Sequence, residues 1–196
     1  MIVSGFTHKI RINKLMTELG DGTCGSVSIC SIYEYFKIKV SSQEVLDIGR
    51  DGKATNKYPN NGSSIIGIAL ASSTNENIRV DVYSSHGNNI SDIETHLAQF
   101  EKPIAEEIKK KSNIFFHNSI SIDEILTKVS NKSIPIIQFC RNGDCTKGHS
   151  SPLIGANGGK FLLLPVWDAD GEITVEKEEF DKVWWLDKSC VFLTYN

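Results

Sequence analysis

The stretch from Cys24 to Val40 constrains this chain more than any other. Ile29, Ile32, Tyr33 and Phe36 recur at helical spacing. Val27, Cys30 and Tyr35 make the other faces apolar too, and a helix apolar all round belongs in the centre of a core. A turn, Gly20-Asp21-Gly22-Thr23, runs straight into it, so the helix begins at Cys24. A chain of 196 residues can supply the surrounding core, burying roughly 70% of its unfolded surface. Residues 1–196 read as one domain, with no repeat and no linker.

Helical signals dominate the first two thirds. Ser41 with Glu44 forms a capping-box pattern, and Gly49 stops the short helix it begins. Asp51 to Ser64 is a polar loop. Ile65 to Ala71 reads as a helix entering the core, and Ile78 to Tyr83 alternates like a strand. Ser91 to Lys111 reads as an exposed helix broken at Pro103, and Ser121 with Glu124 starts another helix to Val129. Strand-like runs then follow at Ile134–Cys140, Ser150–Ala156, Phe161–Val166 and Val191–Tyr195. Helices first and antiparallel strands later describe an α+β protein.

Charge and cysteine usage remove several function classes. Lys plus Arg is 21 and Asp plus Glu is 24, a net charge of -3, which argues against a nucleic-acid binder working through bulk positive charge. No apolar run reaches the ~18 residues of a membrane span. Met1 to Gly20 lacks the apolar core of a signal peptide, so the expectation is synthesis as a cytoplasmic protein, with export by another route left open. Five cysteines, an odd count without a signal peptide, read as thiols rather than a disulfide framework. Cys140 and Cys145 lack the second close pair of a zinc site, and no nucleotide or metal motif appears, so no metal and no cofactor is expected. The oligomeric state is not readable.

Two residues carry the chemistry. Cys24 stands at a helix N-terminus, whose unbonded N–H groups and partial positive charge favour a thiolate and can hold an oxyanion. His149 opens a strand in Gly148-His149-Ser150-Ser151-Pro152-Leu153-Ile154-Gly155. Gly155-Ala156-Asn157-Gly158-Gly159 is a hairpin turn between apolar runs. With Gly158-Gly159 as the two-residue loop, His149 lies opposite Asp168. With Asn157-Gly158 as the loop, Asp168 is the diagonal neighbour on the same face. A carboxylate there fixes the tautomer of the imidazole and stabilises its cation. A three-residue loop would separate the two.

A cysteine on an early core helix, then histidine and aspartate on a later sheet, is the chain order of papain-like cysteine enzymes. The second half resembles phytochelatin synthase, a papain-like γ-glutamylcysteine transpeptidase. The resemblance lies in Ser121-Ile122-Asp123-Glu124, Ile136-Ile137-Gln138-Phe139-Cys140-Arg141, Gly148-His149-Ser150-Ser151-Pro152-Leu153 and Phe161-Leu162-Leu163-Leu164. Thr23-Cys24-Gly25-Ser26 is similar to that family's nucleophile motif and to that of the bacteriocin-processing, C39-like peptidases. Both families place a glutamine six residues before the nucleophile as oxyanion donor; this chain has Glu18, and an ionised carboxylate only accepts hydrogen bonds. Aligned without gaps, Pro165 falls where the synthases have their aspartate, so Asp168 must serve from three residues later.

The resemblance implies a papain-like α+β fold, with a helical N-terminal part carrying the nucleophile and a C-terminal antiparallel sheet. Cys24 attacks a carbonyl, His149 takes the thiol proton or pairs with the thiolate, and Asp168 orients His149. Glu18, Gly25 and Arg141 are the candidates around the oxyanion and the substrate. An acyl-enzyme forms and is resolved by water or an amine. The resemblance points to γ-glutamylcysteine-type thiols such as glutathione. The alternatives are a protease or isopeptidase acting on a protein tail, and a binding domain without catalysis on the same fold. Neither nucleic acid nor membrane is an expected partner.

Overall fold

In the computed structural model, residues 23–39, 41, 64–97, 101–141, 144–157, 159–164, 173–184 and 188–196 are described. The central helix α1 spans Cys24–Tyr35, and ten of its residues, from Cys24 to Tyr33, are buried. It stops short of the Val40 that apolarity alone predicts. The Lys37 N–H bonds to the Glu34 carbonyl and the Ile38 N–H to the Tyr33 carbonyl, each at 2.8 Å. Lys37 takes φ 60° to close this Schellman turn. Phe36 then stacks on Tyr195, with ring centroids 5.6 Å apart. The left-handed conformation costs an L-residue roughly 1 kcal/mol that glycine does not pay. Lys37→Gly is therefore expected to raise the melting temperature by about 2–4 °C, measured by thermal unfolding.

Helix α2, Ile65–Ser72, is capped by the Ser64 hydroxyl, which accepts from the Gly67 N–H at 3.2 Å. Tyr33, fully buried, donates its hydroxyl to the Ser72 carbonyl at 2.6 Å and so ties α1 to α2. Strand β1, Ile78–Ser84, follows. The exposed helical region separates into α3, Ile90–Glu94, and α4, Lys102–Ile108. Pro103 sits in the first turn of α4, where its missing N–H has no helical partner to lose. Strand β2, Ile114–Asn118, pairs parallel with β1. This strand is absent from the sequence reading, and so is the parallel pairing. Helix α5, Ile122–Lys128, carries the expected capping box, with Ser121 and Glu124 bonded reciprocally.

Strands β3, Ser133–Arg141, and β4, Asp144–Asn157, form a long hairpin. Then come β5, Lys160–Leu163, β6, Ile173–Glu176, helix α6, Lys177–Val183, and β7, Cys190–Tyr195. The seven-stranded sheet runs β2-β1-β7-β3-β4-β5-β6. β6 and α6 were not read from sequence; Phe180 and Trp184, 0% and 3% exposed, pack them onto the core.

The pairing registers sort side chains onto two faces. Ser150, Gln138, Ile136, Val191, Leu193, Val80 and Val82 share one; His149, Phe139, Ile137, Cys190, Phe192, Asp81 and Tyr83 share the other. The hairpin turn agrees with the first of the two expected registers, Asn157 facing Lys160 and Gly155 facing Leu162. A bulge between Leu153 and Gly155 then shifts the ladder by one, so Leu153 faces Leu163. This corrects the argument for Asp168: turn geometry no longer sets it opposite His149, because one inserted residue exchanges the faces. Asp168 itself lies outside the described residues.

Cysteine usage also departs from expectation. Cys24, Cys30 and Cys190 are thiols, but Cys140, on β3 opposite Gly148, is disulfide-bonded. An odd count guarantees only that one cysteine is left over; it does not exclude a bridge.

Candidate active site

Cys24 and His149 are both buried, 8% and 7% exposed. The start of α1 packs against β4. The Ser28 hydroxyl donates to the Cys24 carbonyl at 2.7 Å and to the Ser150 carbonyl at 3.3 Å, fastening the first helical turn to the strand. The Cys24 sulfur accepts from both the N–H and the hydroxyl of Ser150. A strand's backbone groups lie in the plane of its sheet. The sulfur therefore sits beside the edge of β4, at the peptide that joins His149 to Ser150. Among the described residues, β5 pairs with β4 no further than the Leu164 N–H to Pro152 carbonyl bond. The helix start occupies the edge beyond it.

His149 leaves the strand on the face opposite Ser150. Its ring meets Phe139 edge-on, with centroids 5.5 Å apart. Its chain neighbour is thus in contact with the thiol, while the imidazole itself packs on the aromatic side of the same strand. Gly25 presents its backbone N–H to the Cys24 sulfur. Glu18 and Asp168 lie outside the described residues, and the Arg141 side chain does too.

Electrostatics at Cys24 run against the sequence expectation. Burial pushes the thiol up from its ordinary range, and this outweighs the Ser150 donors and the helix-start amides, which pull it down. The resting group is a thiol, so proton removal requires a base rather than the helix field alone. The consequence for stability has a definite sign. A raised pKa stabilises the fold below the unfolded value of about 8.5, and that contribution is lost as pH rises towards the folded value. Cys24→Ala is expected to flatten the alkaline arm of the stability curve between pH 8 and pH 10, read by denaturant midpoints.

A second polar constellation was missed in the sequence. Asp81 accepts from Arg79 Nε and Nη2, each at 2.8 Å, and lies 2.7 Å from His117 Nε2. Tyr83 stacks on His117 with centroids 4.6 Å apart, and the Arg79 guanidinium lies 4.0 Å from the Phe115 ring centre. The cluster lies across the paired strands β1 and β2. Its signal was there as Arg79-Val80-Asp81, two opposite charges at strand spacing on one face. Among the described residues no group of three or more His, Cys, Asp or Glu side chains is placed to hold a metal ion. No described helix is long and apolar enough to cross a membrane.

No family model matches the sequence, and no curated protein matches it. Solved structures do. The peptidase domain of Streptococcus ComA, a bi-functional ABC transporter involved in a quorum-sensing pathway, superposes with a TM-score of 0.51 at 11% identity, over 89% of this chain and 93% of that one. The fold is that of the papain-like cysteine peptidases. A double glycine motif protease from an AMS/PCAT transporter, solved with its leader peptide, aligns at 19% identity and a TM-score of 0.49, over 90% of this chain and 87% of that one. The peptidase domain of Streptococcus mutans ComA aligns at 12% and 0.42, over 89% and 94%. In this chain the start of α1 abuts β4 through the Ser28 bond to the Ser150 carbonyl. The ComA structure is a peptidase domain and not a phytochelatin synthase.

Proposed function

We propose that this chain is a cysteine peptidase that cleaves a peptide or protein tail through an acyl-enzyme on Cys24. The observation that carries the reading is the seat of the Cys24 sulfur against the His149–Ser150 peptide, at the start of a buried helix. His149 is the proposed general base for the thiol proton. The sulfur then attacks the carbonyl carbon, and the Gly25 amide receives the oxyanion. His149 returns the proton to the leaving amine, and water resolves the thioester. Asp168 is the proposed orienting carboxylate, Arg141 a contact for the substrate's acidic end, and Glu18 a group beside the oxyanion hole. Peptide substrates are preferred over glutathione because the fold's likeness is to a peptidase domain. The motif island from Gly148 to Leu153 favours the second reading, acyl transfer from γ-glutamylcysteine-type thiols.

The deciding experiment incubates the protein with a mixed peptide library and, separately, with glutathione, and follows intact mass. Cleaved peptides with a Cys24 thioester, absent in Cys24→Ala, are the expected result. Free glycine and a γ-glutamylcysteinyl adduct on Cys24 would instead establish the second reading. No adduct from either source would leave a binding domain.

A further inference from the structure

The buried polar groups around Cys24 form a directed chain. Ser150 is 2% exposed, and Gln138 stands directly opposite it on β3. Gln138 Nε2 donates to Ser150 Oγ at 3.4 Å. That bond occupies a lone pair of the hydroxyl and leaves its proton to point elsewhere. The Cys24 sulfur is the acceptor it meets, and the Ser150 N–H reaches the same atom. The Ser150 carbonyl is held meanwhile by Ser28, whose hydroxyl also holds the Cys24 carbonyl. Helix start and strand are thus locked at the one residue whose two donors face the sulfur.

We propose that Ser150 is the positioning residue for Cys24: its hydroxyl, aimed by Gln138, and its backbone N–H form a donor pair for the charge that gathers on the sulfur when the thiol proton leaves. The relay runs amide to hydroxyl to sulfur, and each bond polarises the next. Both bonds to sulfur become charge-assisted as the thiolate forms, and such bonds are the strong ones. Ser150 makes no bond to substrate in this role; it acts through Cys24.

The inference rests on Cys24 being the reacting thiol and not on which substrate is cleaved. Its test therefore needs no substrate. The rate of Cys24 alkylation by iodoacetamide is followed by peptide mass mapping of the full chain from pH 5 to pH 10.5. Ser150→Ala removes the hydroxyl donor and keeps the N–H. The midpoint should move up by about one pH unit, and labelling below it should fall about tenfold. Ser150→Thr keeps a hydroxyl and should restore the wild-type midpoint. Gln138→Leu should shift the midpoint in the same direction by less, because the hydroxyl remains but is no longer aimed. Gln138 is only partly buried, so this variant serves if Ser150→Ala fails to fold. A wild-type midpoint in Ser150→Ala, or in Gln138→Leu where that stands alone, overturns the proposal. Equal shifts in Ser150→Ala and Ser150→Thr also overturn it, since packing and not the hydroxyl would be responsible. Absence of Cys24 alkylation at every pH in the wild type defeats the nucleophile assignment itself, a result distinct from an unchanged midpoint.

Discussion

His149→Ala is expected to lower peptide cleavage by about 10³-fold or more while Cys24 remains chemically present. The reason is the state of the thiol. Were Cys24 held as a thiolate by the helix start, the histidine would be needed only for the leaving group. Burial keeps the sulfur protonated at neutral pH, so the base is needed before the first bond forms. Cys24→Ala should abolish cleavage outright, and the double variant should be no worse than Cys24→Ala, because residues acting as one unit do not add. Steady-state rates on the cleaved peptide check all three. Full activity in His149→Ala would show that another group takes the proton. A difference between the variants in the pH dependence of the rate would follow too. Wild-type rates should climb once His149 is neutral, whereas the residual rate of His149→Ala should climb only in the alkaline range where Cys24 ionises.

Local signals predicted the parts of this fold that local forces determine. The apolar sweep of α1, the Ser121 and Glu124 capping box and the two-residue register of the β4–β5 turn are each fixed by residues within a few positions of one another. What failed depended on contacts distant in sequence. β2 is a five-residue strand of which Ile114 alone is buried, and it exists because β1 offers it a parallel edge. The bulge at Leu153 to Gly155 leaves no composition signal, yet it changes which face the following strand presents. In the site, the helix start marked Cys24, whereas His149, read as opening a strand, stands in the middle of β4. The sign of the Cys24 shift was misread because burial depends on what packs over the sulfur, and the sequence showed only the helix amides. Ser150 went unnoticed for the same reason. A serine one position after a histidine gains meaning only when the start of α1 is seated against that strand edge.

The cluster at Asp81 gives the largest expected effect on stability. Burial alone would raise this carboxyl, but the hydrogen bonds from Arg79 and His117 and their charges outweigh it and hold the group below the ordinary carboxylate range. A depressed pKa contributes stability that is fully present above the unfolded value of about 3.9 and is lost as pH falls through the folded one. Breaking a wholly buried ion pair costs roughly 3–5 kcal/mol. Here the Arg79 side chain is 43% exposed while that of Asp81 is 12%, so water screens one partner and a cost of about 2 kcal/mol is the better expectation. Asp81→Asn keeps the shape and loses the charge, leaving an amide nitrogen to face either the guanidinium or the imidazole. The variant should melt about 4–8 °C below wild type at pH 7, and the two curves should converge as pH approaches 3. Cleavage by Cys24 should be unaffected at temperatures where both are folded, because β1 is separated from β4 in the sheet by β7 and β3. A melting difference that persists undiminished at pH 3 would show that packing, not the carboxylate charge, is what Asp81 supplies.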